Sequence, residues 1–189
     1  MTDRRPPRNG PRRPPRPLDP ARLEELALAY VGRFATTRAK LSHYLRRKLS
    51  DRGWEAPGSP MIEPLVERLA QLGYVDDAAY ALAKARALGQ RGYGERRVDL
   101  ALRQAGVDDD DRAPAQEMAS TGAATAAIRY AQRRRLGPFA RESADPKGRA
   151  RALSAMIRAG HSFDLAHLLV GLPPDPNANI DELKRLLNK

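Results

Sequence analysis

Asp76 and Asp77 stand side by side, and paired carboxylates are the minimal equipment for acid–base chemistry or for holding a divalent cation. They also open a predicted helix, where an aspartate caps free backbone N–H groups and complements the helix dipole, so capping and partner contact are both open to them. Arg91-Gly92-Tyr93-Gly94, followed by Arg96 and Arg97, combines glycine flexibility with the N–H groups of a helix start, a composition suited to cradling a phosphate or carboxylate. The same residues also suit a plain helix–helix turn with arginines facing outward. The run lacks the G-x-x-x-x-G-K-[ST] pattern, which excludes a nucleotide-hydrolysis loop of that type. Arg133, Arg134 and Arg135 fall at a predicted helix end, where cations complement the dipole. His43, His161 and His167 form no H-E-x-x-H arrangement, and the chain has no cysteine, so thiolate chemistry and disulfides are excluded and no metal is expected. No nucleophile–base pair is legible. The chain reads as a binding protein without catalytic residues or cofactor.

The elements that must position these residues are set by an internal repeat. Gly53, Gly106 and Gly160 lie 53 and 54 residues apart, preceded four and eight positions back by Leu49 and Leu45, Leu102 and Val98, and Met156 and Ala152. A stride of four keeps each pair on one helix face, and glycine ends the helix because it adopts a left-handed conformation without steric penalty. Trp54 follows the first of these glycines and is expected to close over the helix end. A unit of this size cannot bury its apolar faces alone and stacks on its neighbours, which predicts an elongated, curved array of three-helix modules with a long binding surface.

Composition agrees. Only four isoleucines and six valines occur among 189 residues, so local preference is helical and the fold class is all-α. No apolar run is long enough to span a membrane and no apolar signal core stands at the N-terminus, giving the cytoplasm as the expected location. The net charge of +11 suits a polyanionic partner; the first 20 residues supply +4 of it, leaving +7 for the rest. Those 20 residues hold seven prolines and are expected to be disordered, with Arg12, Arg13 and Arg16 either contacting nucleic acid or simply solvated.

Capping and periodicity divide the remainder. A first unit over 21–73 opens after Asp19-Pro20, restarts at Thr36 or Thr37, and closes at Gly73. The second, 74–118, ends in a helix expected to be short because Pro114 interrupts it, and the third spans 119–171. A linker and C-terminal helix occupy 172–189, with Asn179 and Glu182 as a capping-box-like pair.

The stretch from Leu69 to Ala81, with Arg86, Arg91-Gly92-Tyr93-Gly94, Arg97 and Gly106-Val107, resembles the RecX family of recombinase regulators. Thr37-Arg38-Ala39-Lys40-Leu41 with Leu45, Leu49 and Gly53 is similar to that family's first repeat, and Lys147, Arg151, Met156, Gly160, Ser162 and Phe163 to its third. His161 departs from the aromatic residue usual at its position, and the terminal segments lie outside the pattern. The resemblance implies tandem three-helix repeats acting as a monomer that binds the RecA filament and restrains its assembly, ATPase and strand exchange in homologous recombination, DNA repair and the SOS response. Partner contacts are expected on Arg86, Arg91, Gly92, Gly94, Arg96 and Arg97, with Asp76 and Asp77 as further candidates beside their capping role. The residues themselves leave a second reading open, a DNA-binding protein of helix-turn-helix type.

Overall fold

Asp19, Thr37, Asp76, Asp145 and Ser162 each accept a hydrogen bond from the amide three residues onward, and each thereby starts a helix. The computed structural model describes residues 16–187. Ten α-helices and one 3-10 turn appear among them, and the only extended pairing there is a single bridge between Leu18 and Trp54. Arg12 and Arg13 lie outside the described residues, as does most of the Pro/Arg-rich tail.

The helices form three modules. Helices α1 (Pro20–Val31), α2 (Arg38–Arg52) and α3 (Ile62–Gln71) build the first; α4 (Asp77–Gln90), α5 (Glu95–Gln104) and α6 (Asp109–Thr121) the second. The third contains α7 (Ala123–Arg134), α8 (Pro146–Arg158) and α9 (Phe163–Gly171), with α10 (Ile180–Leu187) packed on α7 and α9. Each module has its own core: Leu23, Leu41, Leu45, Leu65 and Leu69 in the first, Ala81, Val98, Leu102 and Ala115 in the second, Ala131, Met156 and Leu169 in the third. Burying a leucine fully stabilises by roughly 1.5–3 kcal/mol, so each core is held by a few such residues plus close-packed alanines.

All three repeat glycines take positive φ. Gly106 and Gly160 lie at 70° and 96°, and Gly53 at φ 80° with ψ 174°, an extended mirror-image conformation rather than a left-handed helical one.

Three sequence expectations are corrected. Helix α6 runs to Thr121, past the expected end at Met118, because its face packs on α4 and Arg112 is buried against the Val107 carbonyl at 2.8 Å; Pro114 removes only one amide. The division at 118/119 therefore falls inside a helix. Ordered structure also begins before Ala21: Leu18 is fully buried in the first core and its backbone pairs with Gly53 and Glu55 at 3.0 and 2.9 Å. Asn179 caps α10 through the amides of Asp181 and Glu182, but the reciprocal bond of a capping box is not among the bonds of the described residues.

Successive modules are joined through their middle helices. The N-terminus of α5 meets the C-terminus of α8, where Gly94 and Arg96 amides donate to the Ala159 and Gly160 carbonyls at 2.9 and 3.2 Å. The N-terminus of α2 meets the C-terminus of α5, where the Thr37 hydroxyl donates to the Ala105 carbonyl at 2.6 Å. Helix starts rich in donors thus face helix ends rich in acceptors, which satisfies groups that each isolated helix leaves unpaired and aligns the dipoles head to tail. The glycine in each helix end is what allows contact: a Cβ on Gly106 would sit 2.3 Å from the Ala39 Cβ, and one on Gly160 would sit 2.4 Å from the Arg97 nitrogen.

Candidate functional site

The turn Arg91-Gly92-Tyr93-Gly94 between α4 and α5 is built by the junction it serves. Gly92 has φ 77°, and a Cβ there would lie 2.8 Å from the Tyr130 nitrogen; one on Gly94 would lie 2.3 Å from the Gly160 carbonyl oxygen. Both glycines are buried against the third module. The anion-cradle expectation fails on this geometry. The amides that would hold an anion, those of Gly94 and Arg96, already donate to Ala159 and Gly160. His161 belongs to the same junction, its Nε2 3.1 Å from the Gly92 carbonyl and its ring edge-on to Tyr130. Burial pulls the His161 imidazole down to about 4, against the weaker opposing pull of the Gly92 carbonyl, so the ring is neutral and donates from Nε2.

The arginine side chains on this turn point outward. Arg86, Arg91, Arg96 and Arg97 are exposed and form no ion pair with any carboxylate among the described residues. Arg97 lies over the Tyr93 ring at 6.0 Å, and Arg133 donates to the Arg91 carbonyl. Arg16 is exposed and likewise unpaired among these residues.

The two aspartates part company. Asp76 is exposed and caps α4 through the Ala79 amide at 2.7 Å. Asp77 is buried and turns to the neighbouring module, where its carboxylate accepts from the Arg38 amide at 2.9 Å and caps α2 rather than its own helix. It is out of reach of a partner, which corrects its placement among the contact residues. Burial raises the Asp77 carboxyl above the usual range despite the Arg38 amide and guanidinium that favour its charged form. Burial alone would lower Arg38, but the carboxylates of Asp77 and Asp111 outweigh it and hold the guanidinium above its ordinary value. Arg38 binds Asp111 at 2.6 Å, with Asp108 and Glu67 at 4.0 Å, and Lys40 lies 2.5 Å from the Tyr80 hydroxyl.

This first junction is therefore charged and internally paired, whereas the arginines around the second form no ion pair with a carboxylate among the described residues. Sequence reasoning missed Arg38 as the centre of a cluster. Its only signal was its place in the Thr37-to-Leu41 run, since its carboxylate partners are scattered over three helices. Among the described residues no group of three histidine or acidic side chains is placed to hold a metal ion, and His43, His161 and His167 lie on separate elements. Among the same residues no helix is long and apolar enough to cross a membrane.

Comparison with known proteins matches this architecture. No family model matches the chain. The regulatory protein RecX of Myxococcus xanthus is 34% identical over 174 residues, covering 87% of this chain and 92% of that one. The regulatory protein RecX of Thermobifida fusca is 36% identical over 152 residues, covering 79% and 77%. The crystal structure of RecX from Lactobacillus salivarius superposes with a TM-score of 0.57 over 89% of this chain and 96% of that one, at 18% sequence identity, a likeness of fold.

Proposed function

The chain belongs to the RecX family of regulatory proteins, and on that premise we propose that it binds the RecA recombinase filament and restrains its assembly, ATP turnover and strand exchange. The observation that carries this reading is the cluster of exposed arginines around the α4–α5 turn, Arg86, Arg91, Arg96 and Arg97, none of which pairs with a carboxylate among the described residues. Guanidinium groups without carboxylate partners in their own chain, on a backbone fixed by the module junction, are preorganised to meet carboxylates on a partner. Asp76 lies on the same module, exposed beyond its cap, and extends that contact surface. An array of modules bridging successive recombinase subunits would block monomer addition and the subunit movements coupled to ATP turnover. The protein acts as a monomer in the cytoplasm and needs neither catalytic residues nor a cofactor. Arg12, Arg13 and Arg16 add a salt-sensitive contact with DNA held by the filament.

The helix-turn-helix alternative requires a helix whose N-terminal residues enter the major groove, but the N-terminus of α5 is docked on the third module. The test is the single-strand-DNA-dependent ATPase of the cognate recombinase with and without this protein. Unchanged turnover at saturating protein, together with binding to DNA alone, would discard the recombinase reading.

A further inference from the structure

A groove runs between the second and third modules, walled by α4 on one side and by α6 and α7 on the other. Its floor is apolar and made largely of small side chains, with Tyr93, Val98, Met118 and Ala119. Arg86 on α4 and Arg129 on α7 rim it from opposite walls, both exposed and neither paired with a carboxylate among the described residues. Gly89 also lines it. That glycine is the penultimate residue of α4, in its last turn, with helical φ, and a Cβ there would meet nothing within 4 Å. Neither positive φ nor crowding within the chain demands glycine at this point, in contrast to Gly92 and Gly94. What a missing side chain provides here is room for the backbone of something outside the chain.

We propose that this groove binds an extended acidic segment of a protein partner, a small aliphatic side chain seated on the Met118–Ala119 floor, the backbone passing over Gly89, and carboxylates reaching Arg86 and Arg129 on either side. The charge of the rim selects an anionic occupant. The floor selects a peptide over a nucleic-acid strand, because it offers small aliphatic groups and an adaptable methionine rather than a row of exposed aromatic rings on which bases would stack. The groove lining itself holds two cations, which match two carboxylates flanking an anchor; a phosphate backbone would have to run on to Arg91, Arg96 and Arg97 at the neighbouring turn, and the oligothymidine control tests for that.

The probe is a short fluorescein-labelled peptide with a central leucine flanked by glutamates, followed by anisotropy at low salt against the full chain. The controls are the same peptide with glutamines for glutamates and a short oligothymidine. The parent should bind the acidic peptide at least about tenfold more tightly than the glutamine version. Gly89→Leu, which fills the groove with a good helix former, should reduce peptide binding about tenfold while circular dichroism and melting temperature are kept. The pair Arg86→Glu and Arg129→Glu should do the same, and Arg151→Glu on α8 should not. Absence of peptide binding by the parent overturns the proposal, as does equal binding by Gly89→Leu. Oligothymidine that displaces the peptide and is itself lost in the same variants overturns it in favour of nucleic acid. Recombinase inhibition by Gly89→Leu is measured separately: its retention leaves the recombinase reading standing whatever the peptide does.

Discussion

His161 and Asp77 are the two side chains whose burial has thermodynamic consequences that titration can read. The His161 imidazole is held down to about 4 by burial, against an ordinary value near 6.5, so the unfolded chain binds more protons between those limits. Its contribution to stability is complete above about pH 6.5 and is lost as pH falls toward 4, a difference on the order of 3 kcal/mol. Denaturant unfolding at pH 7.5 and pH 5 should show about 2 kcal/mol of that loss, and His161→Phe should flatten the pH dependence while losing about 1 kcal/mol for the bond to the Gly92 carbonyl. Asp77 has the opposite sign for a carboxyl. Burial raises it, so its ionisation weakens the fold as pH rises above the unfolded value. Asp77→Asn, which keeps an acceptor for the Arg38 amide, should therefore cost less than Asp77→Ala, which removes one of the two capping acceptors of α2, the other being Thr37, at about 1–2 kcal/mol. Urea midpoints for the two variants at neutral pH check the order.

At the scale of elements, the helix ends do the joining, and glycine substitutions should sort by what surrounds them. Gly106→Val forces a β-branched residue to φ 70° and against Ala39, and should destabilise the first junction by several kcal/mol, on the order of 3, in denaturant unfolding. Gly89→Ala meets open space and should stabilise α4 by up to about 1 kcal/mol. At the α4–α5 turn the proposed contact can be tested apart from the fold. Replacing Arg91, Arg96 and Arg97 together by alanine should leave the melting temperature nearly unchanged, since none forms an ion pair among the described residues and only Arg97 touches a neighbour, the Tyr93 ring at 6.0 Å, yet weaken recombinase inhibition by about 1–3 kcal/mol of binding. A triple variant that inhibits like the parent would remove this turn from the contact.

For the whole molecule, each helix ended by one of the three repeat glycines has a terminal carbonyl occupied by what precedes it in the array: α8 by α5, α5 by α2, and α2 by the Leu18 segment. Among the described residues, no side-chain hydrogen bond or ion pair joins the first module to the third, so coupling passes through nearest neighbours. Leu18 thus stands where a preceding module would dock and closes the open end of the array. A chain beginning at Arg16 should keep the full stability of the parent, whereas one beginning at Asp19, or Leu18→Ala in the full chain, should lose about 2–4 kcal/mol by thermal or urea unfolding.

Period, capping and glycine are local properties, and for that reason the sequence determined the helices, their starts at Asp19, Thr37 and Asp76, and the threefold repeat. The exposed arginines of the second repeat were legible as well, because charge next to a glycine turn marks a surface. Long-range pairing has no local signature. That Asp77 caps the helix of another module, that the amides beside Gly94 are taken by Ala159 and Gly160, and that Leu18 belongs to the core were decided only when α2, α5 and α8 met end to end. A carboxylate, an amide or a leucine has the same intrinsic propensity wherever it stands, and the tertiary structure alone sets which of them a neighbouring module removes from water.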